Sequence, residues 1–238
     1  MASIQPQLYE SFAILTPRLI IVPTPIAVSS KTYRALYAAL HADESFCSIA
    51  FGEHFKARNW SDDETREVIE TRDIGRCWDQ RGLGDFAVGL RKSIGLDETV
   101  SYHPNTSVVK GRDLPLLAGP NAERLDPIEW IGYTGVRDAT TTSLPKRGVN
   151  DSTFPPWNEM VELRYGLSPK FWGSGFAKEA AEAVMQWAVD ERGVKRFIAE
   201  TERENQQSAR LLDKLGFVTS GTDYWKEPSE VEWELVVR

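Results

Sequence analysis

The segment SPKFWGSGFAKEAAEAV, Ser168 to Val184, places two closely spaced glycines before an alanine-rich run. Apolar side chains recur there at helical spacing and predict a helix that begins after Gly175. The first amides of a helix lack partners inside it, and the helix dipole favours an anion there. Glycines at such a start let a phosphate approach the backbone. The segment is therefore a candidate phosphate-binding loop, although two glycines alone also fit a simple strand-to-helix turn.

The loop differs from the two best-known phosphate-binding signatures. It lacks the Gly-Lys-Ser/Thr ending of a P-loop and the third glycine of a dinucleotide-binding fingerprint. A nucleoside triphosphatase or a dehydrogenase is therefore a poor interpretation of this segment.

The composition is that of an ordinary globular protein, with 238 residues of which 41% are hydrophobic and 26% charged. No apolar run approaches the roughly 18 residues of a membrane span, and the first residues do not resemble a signal peptide. Cys47 and Cys77 lack metal-ligand spacing, and the histidines are scattered. A net charge of -7 argues against a nucleic-acid surface and mildly favours a cationic substrate. We expect an intracellular, cytoplasmic protein with no metal, membrane or nucleic-acid partner.

The N-terminal part of the chain predicts elements that precede the loop. Leu19 to Pro23, LIIVP, has the composition of a strand, and Thr32 to His41 has helical spacing. Ser61 is followed by three acidic residues, a pattern typical of a capped helix start, and this helix runs towards Trp78.

Two further strands are separated by a long polar connection. The stretches GDFAVGLR from Gly84 and EWIGYTGV from Glu129 predict paired strands. Residues 92–128 between them are too many for a tight hairpin, and a second polar connection spans residues 139–158.

Around the loop, the pattern alternates between strands and helices. MVELRYGL alternates apolar and polar side chains and predicts a central strand directly before the loop. The segments that follow predict helix, strand, helix and strand, over Phe176 to Glu191, Val194 to Thr201, Asn205 to Leu215, and Phe217 onward, with VEWELVV as the closing strand. The fold class is therefore mixed α/β, with one domain over residues 1–238.

Taken together, VELRYGLSPKFWGSGFAKEA and ETERENQQSARLLDKLGF resemble the GNAT acyl-CoA N-acyltransferase superfamily, specifically its ribosomal-protein N-terminal acetyltransferase-like branch. LTPRLIIVP, GDFAVG and EWIGYTGV resemble the first three strands of that branch, so the resemblance covers most of the chain outside the two long connections. It implies a single GNAT domain whose central, mostly antiparallel, twisted sheet is flanked by helices and splayed at the acyl-CoA slot.

The resemblance implies acetyl-CoA as the acyl donor, bound without a metal. The family's phosphate loop would receive the CoA pyrophosphate, and Lys170 stands where the superfamily usually has Arg or Gln. The edge of the preceding strand, around Tyr165 to Leu167, would hydrogen-bond the pantetheine arm. The cofactor-binding residues implied are Tyr165, Leu167, Lys170, Trp172, Gly173, Ser174, Gly175, Phe176, Ala177 and Asn205.

The family's chemistry is direct transfer of the acyl group to an amine, which must first be neutral. Glu162 is the preferred general base, because the branch commonly has a carboxylate at this place and partial burial would raise its pKa. Its alternative interpretation is an exposed strand residue paired with an arginine. Glu129, Glu159 and Asp138 are competing carboxylates.

The departing thiolate needs a proton, and the superfamily's usual tyrosine position is occupied here by Leu212. The branch instead uses a serine three residues after its asparagine, which matches Asn205 and Ser208. The resemblance therefore implies Ser208 as the acid and Asn205 as a ligand of the cofactor arm. Asn205 also suits a helix N-cap, and Ser208 a first helical turn.

The function implied is acetyl transfer to a primary amine, either a peptide N-terminus or a small molecule, by a monomer or homodimer. Leu212 keeps a second class open, an inactive acyl-CoA-binding or regulatory module. The connections at residues 92–128 and 139–158 are expected to cover the acceptor side.

Overall fold

The computed structural model describes residues 11–52, 55–91, 106–110 and 125–237. Within these ranges the strands form one nine-stranded sheet with the order β4-β1-β2-β3-β5-β6-β7-β9-β8. The strands are β1 Phe12–Leu15, β2 Leu19–Pro23, β3 Gly84–Leu90, β4 Ser107–Lys110, β5 Trp130–Asp138, β6 Val161–Leu167, β7 Arg196–Glu202, β8 Val218–Thr219 and β9 Glu230–Val236.

Helices lie on both faces of this sheet. They are α1 Thr24–Ala27, α2 Lys31–Ala42, α3 Glu44–Phe51, α4 Asp62–Ile69, α5 Asp79–Arg81, α6 Ala139–Thr142, α7 Phe176–Arg192 and α8 Gln206–Leu215, with a π-helical stretch Glu70–Trp78 and 3-10 turns Trp157–Glu159 and Pro169–Phe171.

The strand β2 shows why the sheet is covered on both sides. Leu19 and Ile21 pack into the core that includes α7, whereas Ile20 and Val22 pack with Tyr33 of α2 into a second core. Successive side chains of a strand point to opposite faces, so a strand apolar at every position is buried on both.

The pairing of β6 is the feature that creates a slot. With β5 it pairs antiparallel along its whole length, from Val161 to Leu167. With β7 it pairs in parallel, and only Val161 and Glu162 are matched, to Phe197 and Ile198. Beyond Glu162 the two strands diverge, which confirms the predicted splay in a mostly antiparallel sheet.

Most predicted elements are confirmed, including the capped helix at Ser61, whose side chain and that of Glu64 form a reciprocal capping box. The helix continues to Trp78 as expected, although its second half is π-helical. Strand β1 was not predicted, because its four residues are a short apolar run without clear periodicity.

The two long connections differ in position. In the first, Ser107–Lys110 form β4, which pairs with β1 at the edge of the sheet remote from the slot. Leu125 and Ile128 pack into the second core with Tyr33 of α2, and neither they nor β4 line the cavity between β6 and β7. Residues 92–105 and 111–124 lie outside the described ranges. In the second, Leu144 and Phe154 pack around Ile198 and Trp225, beside the slot. For the first connection, the prediction that it covers the acceptor side is therefore wrong in its described part.

A buried hydrogen-bond network joins the π-helical stretch to β3. The Thr24 hydroxyl contacts both the Asp73 carboxyl and the main-chain oxygen of Asp85, and the Trp78 indole donates to it over 3.0 Å. Thr24 has a single hydroxyl proton, so both contacts are hydrogen bonds only when Asp73 carries a proton of its own. Burial, and then the charge of Asp85, raise the pKa of Asp73 to about 8, in agreement with this count.

Asp73→Asn is therefore expected to be at least as stable as the wild type near neutral pH, because the unfolded wild type gains free energy by ionising Asp73 and the variant does not. The amide group donates to Thr24 in place of the carboxyl proton, and the amide oxygen accepts the Asp85 N–H, now 2.9 Å from the carboxyl. The raised pKa means that the wild type loses stability as pH rises towards 8, by about 3 kcal/mol between pH 6 and 9.5 relative to the variant. Denaturant unfolding at both pH values measures this difference, and equal pH dependence would show that Asp73 is ionised in the fold.

Candidate functional site

The loop after β6 has the geometry of an anion-binding helix start. Gly173 and Gly175 have φ of +73° and +78°, a left-handed conformation that other residues adopt only with strain. Gly175 is the N-cap of α7, and no side chain of the described residues caps this helix. The indole of Trp172 donates to the main-chain oxygen of Leu167 over 2.7 Å and holds the loop against the end of β6. The first amides of α7 are thereby left for a ligand.

The splay between β6 and β7 opens into a cavity of about 620 Å³. Its walls are β5, β6, the glycine loop, the first turn of α7, the end of β7, the start of β9, α8 and α3. One continuous space therefore connects the uncapped amides of α7 to the diverging strand edges.

Of the residues implied by resemblance, the cavity brings together Tyr165, Leu167, Trp172, Gly173, Gly175, Phe176, Ala177, Asn205 and Ser208. Three lie outside it. The Lys170 side chain is 74% exposed and lies 3.8 Å from Glu129. Ser174 instead accepts a hydrogen bond on its main-chain oxygen from Arg18, and Glu162 is buried on another part of β6.

Asn205 was predicted to be either a ligand of the cofactor arm or a helix N-cap. Its contacts in the fold are those of an N-cap. Its Oδ1 accepts the Ser208 N–H over 3.0 Å, which makes it the N-cap of α8. Its Nδ2 donates to the main-chain oxygen of Ile49 in α3 over 2.8 Å. The amide keeps a second N–H and a second lone pair on its oxygen, so it can also contact a cofactor arm without giving up these bonds.

Hydroxyl groups meet across the slot. The Tyr165 hydroxyl on β6 donates to the main-chain oxygen of Ser208 on α8, 3.5 Å away. Burial raises the pKa of Tyr165 to about 12, so its proton is retained at neutral pH. The Ser208 side chain lines the cavity beside the Tyr165 hydroxyl. Leu212, in the usual tyrosine position, is completely buried.

Glu162 has a structural environment that its sequence position did not reveal. It is 3% exposed, and the Arg137 guanidinium donates to both carboxylate oxygens at 2.9 Å. Ser143 donates a further hydrogen bond. Burial pushes the pKa up, but the Arg137 charge and these hydrogen bonds outweigh it and hold the pKa below its usual value. The prediction of a raised pKa is therefore wrong. The alternative is right in pairing Glu162 with an arginine and wrong in placing it on the surface.

None of the competing carboxylates lines the cavity. Asp138 is 2% exposed, accepts from Arg81 over 2.9 Å and caps α6. Glu129 lies just before β5, and Glu159 in the 3-10 turn before β6.

Glu200 is the carboxylate that sequence reasoning missed. Phe197 and Ala199 of β7 pack towards α7, so the alternation of the strand turns Glu200 to the opposite face. There it lines the cavity beyond the last β6–β7 pair. Burial, followed by the charges of Glu162 and Glu230, raises its pKa to about 8. The available signal was a carboxylate directly after the apolar run FIA in the strand RFIAETE.

The charges lining the cavity are divided between its two sides. Arg137 and Arg164 line one side, but each has a carboxylate of its own, Glu162 at 2.9 Å and Asp85 at 3.0 Å. Glu200, Glu202 and Glu230 line the other side, and none of the three forms an ion pair with a described residue. Lys178 of α7 and Arg210 and Lys214 of α8 also line the cavity, so its acidic character is confined to the carboxylates of β7 and β9.

Within the described ranges, no cluster of three or more His, Cys, Asp or Glu side chains is arranged to hold a metal ion. No helix of these ranges has the length and apolar character needed to cross a bilayer.

A comparison with family models matches residues 123–218 to the acetyltransferase (GNAT) domain. This range contains the glycine loop, the splayed strands and the first turns of α8.

Curated relatives are similar over shorter stretches. FsC-acetyl coenzyme A-N(2)-transacetylase of Aspergillus fumigatus is 33% identical over 88 residues, 37% of this chain and 34% of that protein. An uncharacterized N-acetyltransferase, p20, of Bacillus licheniformis is 35% identical over 71 residues, 29% of this chain and 40% of that protein. The matches thus span well under half the length of these relatives.

Solved structures share the fold along nearly the whole chain. An acetyltransferase from Agrobacterium tumefaciens has a TM-score of 0.54 at 20% identity and covers 97% of this chain and 98% of its own. A ribosomal L7/L12 alpha-N-protein acetyltransferase in complex with coenzyme A has a TM-score of 0.56 at 13% identity. The match covers 93% of this chain and 96% of that chain. Aminoglycoside acetyltransferase AAC(6')-Ib in complex with coenzyme A has a TM-score of 0.54 at 10% identity, and the match covers 95% of each chain. At these identities the likeness shows the fold.

Proposed function

Because this chain carries a GNAT acetyltransferase domain, we propose that it is an acetyl-CoA-dependent N-acetyltransferase that transfers the acetyl group directly to a primary amine. One observation carries the proposal: a single cavity joins the uncapped amides at the start of α7 to a carboxylate of raised pKa on β7. The first feature suits the phosphates of a CoA thioester, and the second suits deprotonation of an amine.

The residues present fit the acyl donor. The left-handed Gly173 leaves open space where a side chain would stand, with no atom within 4 Å of an added Cβ. A pyrophosphate can therefore reach the amides around Gly173, Gly175 and Ala177. The edge of β6 after Glu162, left unpaired by β7, would accommodate the pantetheine arm as a further strand. The bound thioester supplies the activated acetyl group.

Glu200 is the proposed general base. It lies at the point where β6 and β7 diverge, and a pKa of about 8 lets it accept a proton near neutral pH more readily than an ordinary carboxylate. An incoming ammonium donates its proton to the Glu200 carboxylate and leaves a neutral amine facing the slot. Glu162 serves a different purpose, since it fixes the Arg137 side chain next to the cavity.

Ser208 is the proposed donor to the departing thiolate, from the first turn of α8. We expect Ser208→Ala to lower kcat by about tenfold and to change acetyl-CoA affinity little, because the hydroxyl acts on charge that forms only during the reaction. Ser208→Thr keeps a hydroxyl and is the matched control. Steady-state kinetics measure both variants, and unchanged kcat in Ser208→Ala would remove Ser208 from this role.

The acceptor is proposed to be a cationic amine. Glu202 attracts an ammonium into the cavity before its proton is removed, and Glu200 and Glu230 add to this attraction in their ionised forms. A peptide N-terminus and a small amine both have this chemistry, and the relatives in the comparison include enzymes named for each kind of acceptor.

Release of free thiol from acetyl-CoA in the presence of a panel of amines and peptides tests the proposal. Amine-dependent release establishes the transferase and identifies its acceptor. The inactive module, which the buried Leu212 favours, instead binds acetyl-CoA and gives no amine-dependent release with any acceptor of the panel.

A further inference from the structure

We infer that Arg18, which precedes β2 and lies far from the loop in sequence, is a positioning residue that sets the phosphate loop in its binding conformation. The inference rests on the proposed function, because it concerns the loop that would hold the phosphates of acetyl-CoA. It is argued from the contacts that Arg18 makes, from the direction of the peptide between Ser174 and Gly175, and from the charge at the start of α7.

Arg18 joins the turn between β1 and β2 to the loop and to α7. Its Nη1 donates to the main-chain oxygen of Ser174 over 2.9 Å, and its Nε donates to Glu179 over 2.6 Å. Its guanidinium carbon lies 4.4 Å from the centre of the Phe176 ring. The turn adds two bonds to the same carboxylate, from the Arg18 N–H at 3.0 Å and the Thr16 hydroxyl at 2.5 Å. The loop and the first turn of α7 are therefore held from one side.

The bond to Ser174 fixes the direction of a loop amide. In a planar trans peptide the carbonyl and the following N–H point in opposite directions. Since the Ser174 oxygen points to Arg18, the Gly175 N–H points away from Arg18. Glycines on both sides of Ser174 give this peptide unusual freedom to rotate, so an external donor is what selects one orientation.

Arg18 also corrects the charge at the start of α7. Glu179 lies in the first turn, where a carboxylate occupies the favourable end of the helix dipole and repels an incoming phosphate. The ion pair with Arg18 at 2.6 Å offsets this negative charge. The positive end of the dipole thus remains available to an anionic ligand.

The position of Arg18 shows that it acts from behind the loop. It lines a separate outer groove along α7, and it does not line the cavity between β6 and β7. Gly175 separates the two spaces, with Arg18 Nη2 3.5 Å from where its Cβ would stand. Arg18 therefore shapes the phosphate site without belonging to the slot.

Arg18→Met tests the inference, because methionine keeps much of the apolar stem and removes every donor. We expect the Kd of acetyl-CoA to rise by on the order of tenfold, the loss typical of one hydrogen bond to a charged group, with kcat at saturation unchanged. S-Acetyl-pantetheine lacks the phosphates, so its kcat/KM should be the same in the variant and the wild type. Adding Glu179→Gln to Arg18→Met should restore part of the acetyl-CoA affinity.

Two results would overturn the inference: wild-type acetyl-CoA affinity in Arg18→Met, or an equal loss with both donors. Thermal unfolding of each variant checks that it is folded at the assay temperature. If Arg18→Met does not fold, Arg18→Lys carries the test, since one ammonium does not reproduce the planar contacts to Ser174 and Glu179 together. Failure of the wild type itself to bind acetyl-CoA would instead contradict the proposed function.

Discussion

Replacing Glu200 by Gln is expected to lower kcat/KM by about 10²- to 10⁴-fold, the usual contribution of a positioned general base. Glutamine keeps the size of the side chain and its place on β7 but accepts no proton at neutral pH. The loss should appear with every acceptor amine, because the proton is removed from the amine itself. The affinity for acetyl-CoA should remain close to that of the wild type.

The pH dependence gives this prediction its sharpest form. Since the pKa of Glu200 is raised to about 8, the wild-type kcat/KM should fall as pH drops below that value and Glu200 becomes protonated. A bound cationic amine favours the carboxylate, so the kcat profile should be displaced to lower pH. In Glu200→Gln the step near pH 8 should be absent, leaving the titration of the amine.

Glu202→Gln is the matched control, because Glu202 lies two residues further along the same face of β7. It removes the same charge from the cavity, and we expect a loss of only a few-fold, expressed mainly in the KM of a cationic acceptor. Comparable losses in the two variants would show that negative charge, and not proton transfer at Glu200, drives catalysis.

Replacing Glu162 by Gln is expected to destabilise the protein by about 3 kcal/mol, because it leaves the half-buried Arg137 guanidinium without a countercharge. The measurement is urea unfolding at neutral pH. Since the folded pKa of Glu162 is lowered, its contribution is present above the unfolded value and is lost as pH falls through the folded value. The difference between wild type and variant should therefore shrink in acid.

Two comparisons complete this prediction. The double variant Glu162→Leu, Arg137→Met removes both charges and should be less destabilised than Glu162→Gln alone. Glu162→Gln should also retain the step near pH 8 in the kcat/KM profile. Loss of that step without loss of stability would make Glu162 the base, as its sequence position suggested, and would contradict the assignment to Glu200.

Local patterns explain how much of the fold the sequence predicts. The alternation of VELRYGL identifies β6, and the apolar spacing after Gly175 identifies α7, because each periodicity depends only on neighbouring residues. β4 was missed since its four residues lie within a long polar connection and gain their burial from pairing with β1. Such long-range pairing has no local signal.

In the candidate site, features set by neighbouring residues were predicted, whereas features set by strand pairing were not. The glycine loop and the N-cap at Asn205 follow from local geometry and were predicted. The roles of Glu162 and Glu200 depend on register and divergence between strands: β5–β6 pairing places Arg137 opposite Glu162, and the end of β6–β7 pairing opens the cavity at Glu200. A carboxylate's pKa follows from such neighbours, which its place in the sequence does not reveal.

Calorimetric titration with acetyl-CoA, of the wild type and of Gly173→Asp, tests the central claim that the slot and its glycine loop hold the acyl donor. The account predicts one-to-one binding to the wild type and strongly weakened binding to the variant, because the aspartate places bulk and negative charge against the phosphates. Both proteins should show the same thermal unfolding to within about 1–2 kcal/mol, since the added side chain meets open space and its cost is backbone strain. Absence of binding to the folded wild type, or equal affinity in Gly173→Asp, would contradict the assignment of the loop.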